Sequence, residues 1–281
     1  MKFVDIKNDI AFRKIFGNEN RKEALISFLN AVLQLHHNNK IIDVNILTPY
    51  QIPELRGGKV RIVDIKAKDQ NGKTYIVEMQ VADLEGFDKR VLYYTSKSYS
   101  AQINRGDDDE ELKPTFFIGI LDFIATKNLS FISRHILTDA ETSEHFIKDI
   151  EFNFIELPKF NKKASELETI IDQWVYFIKN VENLDVIPEK TADIGLKSAY
   201  EDANKFNWTK AELEAYDYVF MREQDERGRF AFAIRKATEL VTEKINLEFA
   251  LKLIKRSWSN TDIAEDTGLS IEQIIELRNK P

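Results

Sequence analysis

The stretch Val63–Gln80, VDIKAKDQNGKTYIVEMQ, places one carboxylate inside each of two strand-like runs on either side of an Asn-Gly turn. A strand that buries a charge must pair it or coordinate it. Side chains alternate between faces along a strand, so Asp64 and Lys66 share one face and Glu78 and Gln80 share one face of the next strand. The turn decides whether those faces coincide. A two-residue Asn71-Gly72 loop pairs Gln70 with Lys73 and leaves the acids on opposite sides. A three-residue loop, Gln70-Asn71-Gly72 with Gly72 left-handed in a bulge, pairs Asp69 with Lys73 and sets Asp64 across from Glu78. In that second register the Cβ atoms lie roughly 4.5–5.5 Å apart. Two like charges that close repel unless a proton or a cation lies between them. A divalent metal is the economical answer, and a donor set of oxygen alone favours Mg²⁺ or Mn²⁺ over zinc.

Composition narrows the alternatives. The chain has 281 residues, 43% hydrophobic and 31% charged, enough for one large domain or two ordinary ones. It lacks cysteine, which excludes disulfides, cysteine-rich zinc sites and thiol nucleophiles, and its four histidines are scattered. No run reaches transmembrane length and no secretory-signal pattern is present, so a cytoplasmic protein is expected. A net charge of −7 argues against broad affinity for nucleic acid. From Arg56 to Arg105, however, ten Lys/Arg stand against six Asp/Glu, so the region of the two acids is basic within an acidic chain.

Asn8 or Asp9 caps a short helix that Gly17 ends, and Asn20 with Glu23 predicts a second helix start leading into Arg21–Leu33. Strands are expected over Ile41–Tyr50, Val60–Lys68, Lys73–Ala82, Thr115–Phe123, Phe131–Leu137 and Ile150–Leu157, with a helix over Phe87–Ile103. This order predicts an α/β fold, a mixed sheet flanked by helices. After Pro158 the sequence reads almost wholly as helix. Two domains are therefore expected, residues 1–160 and a helical region 161–281. Thr209 and Glu212 form a capping box for a helix running toward Ile254, with Gly228 as the candidate break.

At the acid pair the sequence resembles the D-x(n)-E-x-Q core of the PD-(D/E)XK nuclease superfamily, in the branch of recombination-promoting nucleases or putative transposases. The likeness extends to NDIAFRKIFGN, to FDKRVLYYTSKSYSAQINRGDDDEELKP and to FIELPKF, and so covers most of the first 160 residues. It implies a restriction-endonuclease-like core and a metal-dependent DNA endonuclease associated with recombination or transposon-like elements. Asp64 and Glu78 carry over as ligands for Mg²⁺ or Mn²⁺, and Gln80 takes the place usually held by the superfamily's lysine. Asp9 matches the acidic residue near the family's N-terminus and is the candidate accessory acid. One departure is Asp109, where an aromatic residue is expected.

Glutamine cannot supply a lysine's positive charge, so Lys66, with Arg90 as its competitor, is the candidate transition-state stabiliser and joins the catalytic set. Lys89, Arg90, Lys97 and Arg105 are candidate contacts to the DNA backbone; on their own, Lys89, Arg90 and Lys97 fit a solvated helix face equally well. The tail TDIAEDTGLSIEQIIELR has the small residue, turn glycine and apolar spacing of a helix-turn-helix. Glu272 and Glu276 on its second helix oppose docking to phosphates, which favours helical packing or a homodimer contact. The competing reading is a catalytically weak DNA-binding or protein-interaction module that keeps the nuclease fold.

Overall fold

A computed structural model describes residues 2–47, 64–103, 108–189 and 191–279. Six strands form one sheet: β1 (Val44–Leu47), β2 (Ile65–Asp69), β3 (Thr74–Gln80), β4 (Thr115–Leu121), β5 (Ile132–Ile136) and β6 (Ile150–Glu156). Their spatial order is β1-β2-β3-β4-β6-β5. The β1-β2-β3 meander is antiparallel, β3-β4 and β4-β6 are parallel, and β5 returns antiparallel to β6. A parallel neighbour requires a crossover. Helix α3 (Phe87–Ser100) makes the one from β3 to β4. The mixed sheet flanked by helices is the expected restriction-endonuclease-like arrangement.

The two faces are covered unequally. Tyr75, Val77 and Met79 of β3, with Ile65 and Ala67 of β2 and Ile118 and Ile120 of β4, turn into a large core. That core is closed by α1 (Asp9–Phe16), α2 (Glu23–Val32), α4 (Ile170–Asn180) and α5 (Ile194–Ala203). On the opposite face, among the described residues, α3 alone packs Phe87, Val91 and Tyr94 against Ile76, Phe117 and Leu121. Glu78 and Gln80 share this second face with Ile76.

Local signals explain most element ends. The Asn8 side chain accepts from the Ile10 N–H to start α1, and Gly17 closes it by donating to the Arg13 carbonyl at 2.8 Å. Helix α2 begins differently from expectation. Lys22 is its N-cap without a side-chain hydrogen bond, while Asn18 accepts from the Asn20 N–H at 3.0 Å, so the polar residues build the preceding turn instead. Strand β1 is described only to Leu47, and the expected strand residues 48–50 and 60–63 lie outside the described set.

The helices that follow residue 160 pack in part with the sheet. One compact unit runs from Met1 to Val219 and a second from Phe220 to Pro281. Trp174 of α4 is fully buried, stacks 5.6 Å from both Phe16 and Phe28, and donates from Nε1 to the Ser27 hydroxyl at 3.0 Å. Pro158 marks the end of the strands, but the sheet still needs α4 and α5 to bury its inner face.

The second unit is helical. Helix α6 (Lys210–Lys255), 46 residues long, crosses the unit boundary and passes Gly228 without a break. Helices α7 (Asn260–Thr267) and α8 (Ile271–Asn279) fold back through Gly268, at φ +69°, around a small core of Ala250, Leu253, Ile263, Leu269 and Ile274. Among the described residues no helix is long and apolar enough to cross a membrane.

Gly195 gives a test of the α2–α5 packing. A Cβ there would lie 2.2 Å from the Glu23 carbonyl oxygen and 2.5 Å from Ser27 Cβ, both on α2. Because backbone cannot swing aside, Gly195→Ala should destabilise the first unit by about 1–3 kcal/mol. Urea unfolding followed by the fluorescence of buried Trp174 measures this, and an unchanged midpoint would remove the α2–α5 contact from the account.

Candidate active site

The turn between β2 and β3 takes the three-residue form. Gly72 sits at φ +79° and donates to the Asp69 carbonyl at 3.0 Å, while Asp69 N–H donates to the Lys73 carbonyl at 3.0 Å. The Asp69 carboxylate clamps the loop by accepting from the N–H groups of Asn71 at 2.8 Å and Lys73 at 2.9 Å, and from the Tyr75 hydroxyl at 2.9 Å. The strand pairs that follow are Lys68 with Thr74, Ala67 with Tyr75, Lys66 with Ile76 and Ile65 with Val77. One step further along the same register Asp64 meets Glu78. Asp64 lies just ahead of β2, and its Oδ2 accepts from the Met79 N–H at 2.9 Å.

Both acids hold their protons more tightly than usual. Burial, and then the charge of Asp64, push the Glu78 carboxyl up from 4.5 to about 8, against an opposing pull from Arg90. Burial pushes Asp64 up from 3.8 to about 6; the Met79 N–H and Arg13 oppose it, and the Asp9 charge adds to it. Burial disfavours the charge on both acids, and a charge on one opposes ionisation of the other, so the pair gives up its second proton less readily than its first. The β4 neighbour of Glu78 is Gly119, where a Cβ would lie 2.9 Å from the Phe154 ring, so bare backbone here lets an aromatic side chain close the sheet.

The remaining candidates fall into two groups. Gln80 stands beside Glu78, donating from Nε2 to Glu78 Oε2 at 3.4 Å, and its Oε1 accepts from Arg90 Nη2 at 2.7 Å. Arg90 comes from the first turn of α3 and lies over the Phe87 ring at 5.5 Å. Asp9, at the start of α1, reaches Asp64 electrostatically. Lys66 is half-buried on the Asp64 face; burial, and then Lys68, lower its proton affinity. Lys89 is exposed on α3, and Lys97 lies farther along it, over the Tyr93 ring at 5.7 Å. Arg105 is outside the described residues. Asp109 lies in an exposed helical turn away from these groups.

Arg13 is a member of the site that strand parity did not reveal. Its Nη2 lies 3.4 Å from Asp64 Oδ1. The available signal was its position one helical turn after Asp9, which puts both on one face of α1.

A family model described as PD-(D/E)XK nuclease family transposase matches residues 6–230. The chain belongs to this family. Neither a curated protein nor a solved structure matches it. The matched span runs through α4 and α5, in agreement with the single core that ends near Val219.

Nucleases of this PD-(D/E)XK group generally work with divalent metals, and the donor chemistry suits a hard cation. Asp64 and Glu78 offer carboxylate oxygens, Gln80 an amide, and the mutual repulsion of the acids is what a cation relieves. Among the described residues no three Asp, Glu, His or Cys side chains gather into a metal cage. Mg²⁺ does not require one, since it commonly binds through one or two carboxylates together with water and substrate phosphate.

The raised proton affinities fix the sign of a pH effect. Between the ordinary value of 4.5 and about 8, folded Glu78 binds a proton that the unfolded chain has released. Stability should therefore fall as pH rises through that window in the presence of EDTA. Glu78→Gln, which stays neutral, should flatten the decline. Thermal unfolding of both proteins from pH 5 to 8.5 checks this, and parallel curves would show that the Glu78 charge is not strained.

Proposed function

We propose that this chain is an Mg²⁺- or Mn²⁺-dependent DNA endonuclease that hydrolyses phosphodiester bonds. The observation that carries the reading is the buried cross-strand pair Asp64 and Glu78 beside Gln80 and Arg90, in a chain of this nuclease family. Asp64 and Glu78 would hold the ion, which when bound supplies Lewis acidity at phosphorus and lowers the pKa of a coordinated water.

The chain's own side chains divide the other tasks. The Met79 N–H fixes one oxygen of Asp64 while Arg13 meets the other, so the carboxylate is oriented before substrate arrives. Asp9 keeps negative charge near Asp64 as an accessory acid. Gln80, held by Arg90, orients the attacking water through its amide. Arg90 brings fixed positive charge next to Gln80, and that charge also favours the ionised form of Glu78. Lys66, half-buried on the face of the two acids, is suited to a phosphate oxygen of the bound strand. Lys89, Lys97 and Arg105 would extend that contact along the DNA backbone. In this setting DNA supplies the counter-charge that the basic stretch around the acids otherwise lacks.

Plasmid nicking with purified protein tests the reading. Cleavage should require Mg²⁺ or Mn²⁺, and Asp64→Ala and Glu78→Ala should each lose it while retaining DNA binding in Ca²⁺. Mg²⁺ should also raise the unfolding temperature of wild type more than that of either variant. Intact plasmid under all metal conditions, with binding preserved, would replace the endonuclease by a DNA-binding module.

A second measurement separates the two positive charges. Arg90→Ala should lower kcat by roughly 10²–10³-fold, as expected for a group that acts mainly in the transition state. Lys66→Ala should weaken substrate affinity more than turnover. The reverse pattern would return the stabilising role to Lys66.

A further inference from the structure

The middle of α6 carries an apolar stripe that nothing among the described residues covers. Phe230, Ile234, Ala237, Val241 and Ile245 recur at intervals of three or four residues and therefore lie on one side of the helix. Phe230 and Ile234 are each 64% exposed, Val241 57% and Ile245 58%, more than a solvated helix face needs. One step before the stripe on the same side stands exposed Arg227, and one step after it stands exposed Glu248.

We propose that this stripe pairs with the same stripe of a second copy of the chain, antiparallel, around a two-fold axis beside Ala237. The pattern is self-complementary in that one register. Phe230 of one copy meets Ile245 of the other, and Ile234 meets Val241. Small Ala237 at the centre lets the two backbones approach. At the ends Arg227 of each copy meets Glu248 of the other, giving two ion pairs of opposite sign by symmetry. A parallel pairing would instead set Arg227 against Arg227 and Glu248 against Glu248. The charges thus select both the partner, a second copy, and its direction. The inference is independent of the nuclease reading, since it involves neither metal nor DNA.

Sedimentation of the full-length chain should give the mass of two copies. Ile234→Glu, at an exposed position, should leave helix content unchanged by circular dichroism and raise the dimer dissociation constant roughly a hundredfold or more, because it acts twice per dimer. Arg227→Glu and Glu248→Arg should each weaken the dimer, and the double exchange should restore it. The chain contains no cysteine, so introduced thiols report contacts without background. A mixture of Phe230→Cys and Ile245→Cys proteins should form the disulfide-linked pair under mild oxidation, while either alone should link poorly. A monomer throughout the micromolar range, or Phe230→Cys linking to itself as well as to Ile245→Cys, would overturn the proposal.

Discussion

Side chains alternate across a strand, so the place of one left-handed residue, Gly72, decides on which face Glu78 meets Asp64. A turn shorter by one residue would send Glu78 into the large inner core among Val77-type positions, where a carboxylate has no partner. Asp69 prevents the slip. Its carboxylate engages the N–H groups of Asn71 and Lys73 and the Tyr75 hydroxyl, so this acid is spent on holding the turn. The chemistry of Asp64 and Glu78 rests on the register that this third acid maintains.

The unequal covering of the sheet explains why two charges are tolerated there at all. Among the described residues four helices close the inner face, whereas α3 alone lies over the other, packing its apolar residues on Ile76, Phe117 and Leu121. Glu78 is buried enough to resist ionisation yet stays within reach of Gln80 and Arg90. Asp64, at the very start of β2, is approached from α1 by Arg13 and by the charge of Asp9. The strand ends are thus where the ladder runs out and where the Met79 N–H turns to a side chain for its acceptor.

What was legible in the sequence was local. Strand alternation, the Gln70-Asn71-Gly72 turn and the Asn8 and Gly17 caps involve neighbours a few residues apart, and they produced the observed elements and the register of the acids. Contacts between distant residues were not legible. Arg13 and Asp64 are separated by 51 positions, and nothing in either's surroundings announces the other. A change in composition after Pro158 likewise reports a change of secondary structure, while Trp174 packs in the same core as the sheet. Gly228 did not end its helix because a lone glycine costs only about 1 kcal/mol relative to alanine, too little to break 46 residues of cooperative hydrogen bonding.

Replacing a strand lysine by Gln80 moves the positive charge of the site rather than deleting it. Glutamine can hold a water and accept a hydrogen bond but carries no charge, and its Oε1 is occupied by Arg90 at 2.7 Å. The guanidinium comes from the first turn of α3, the crossover that joins β3 to β4, so its position depends on how that helix is seated through Phe87 and Val91. An ammonium on the strand would be placed by β3 alone. An arginine on the helix instead ties the charge of the site to the packing of the second face, and the planar fork that grips Gln80 leaves further N–H donors for a phosphate oxygen. Lysine at position 80 would therefore not simply restore a lost group: it would set two cations side by side, and its benefit would depend on whether Arg90 can turn outward to the DNA backbone.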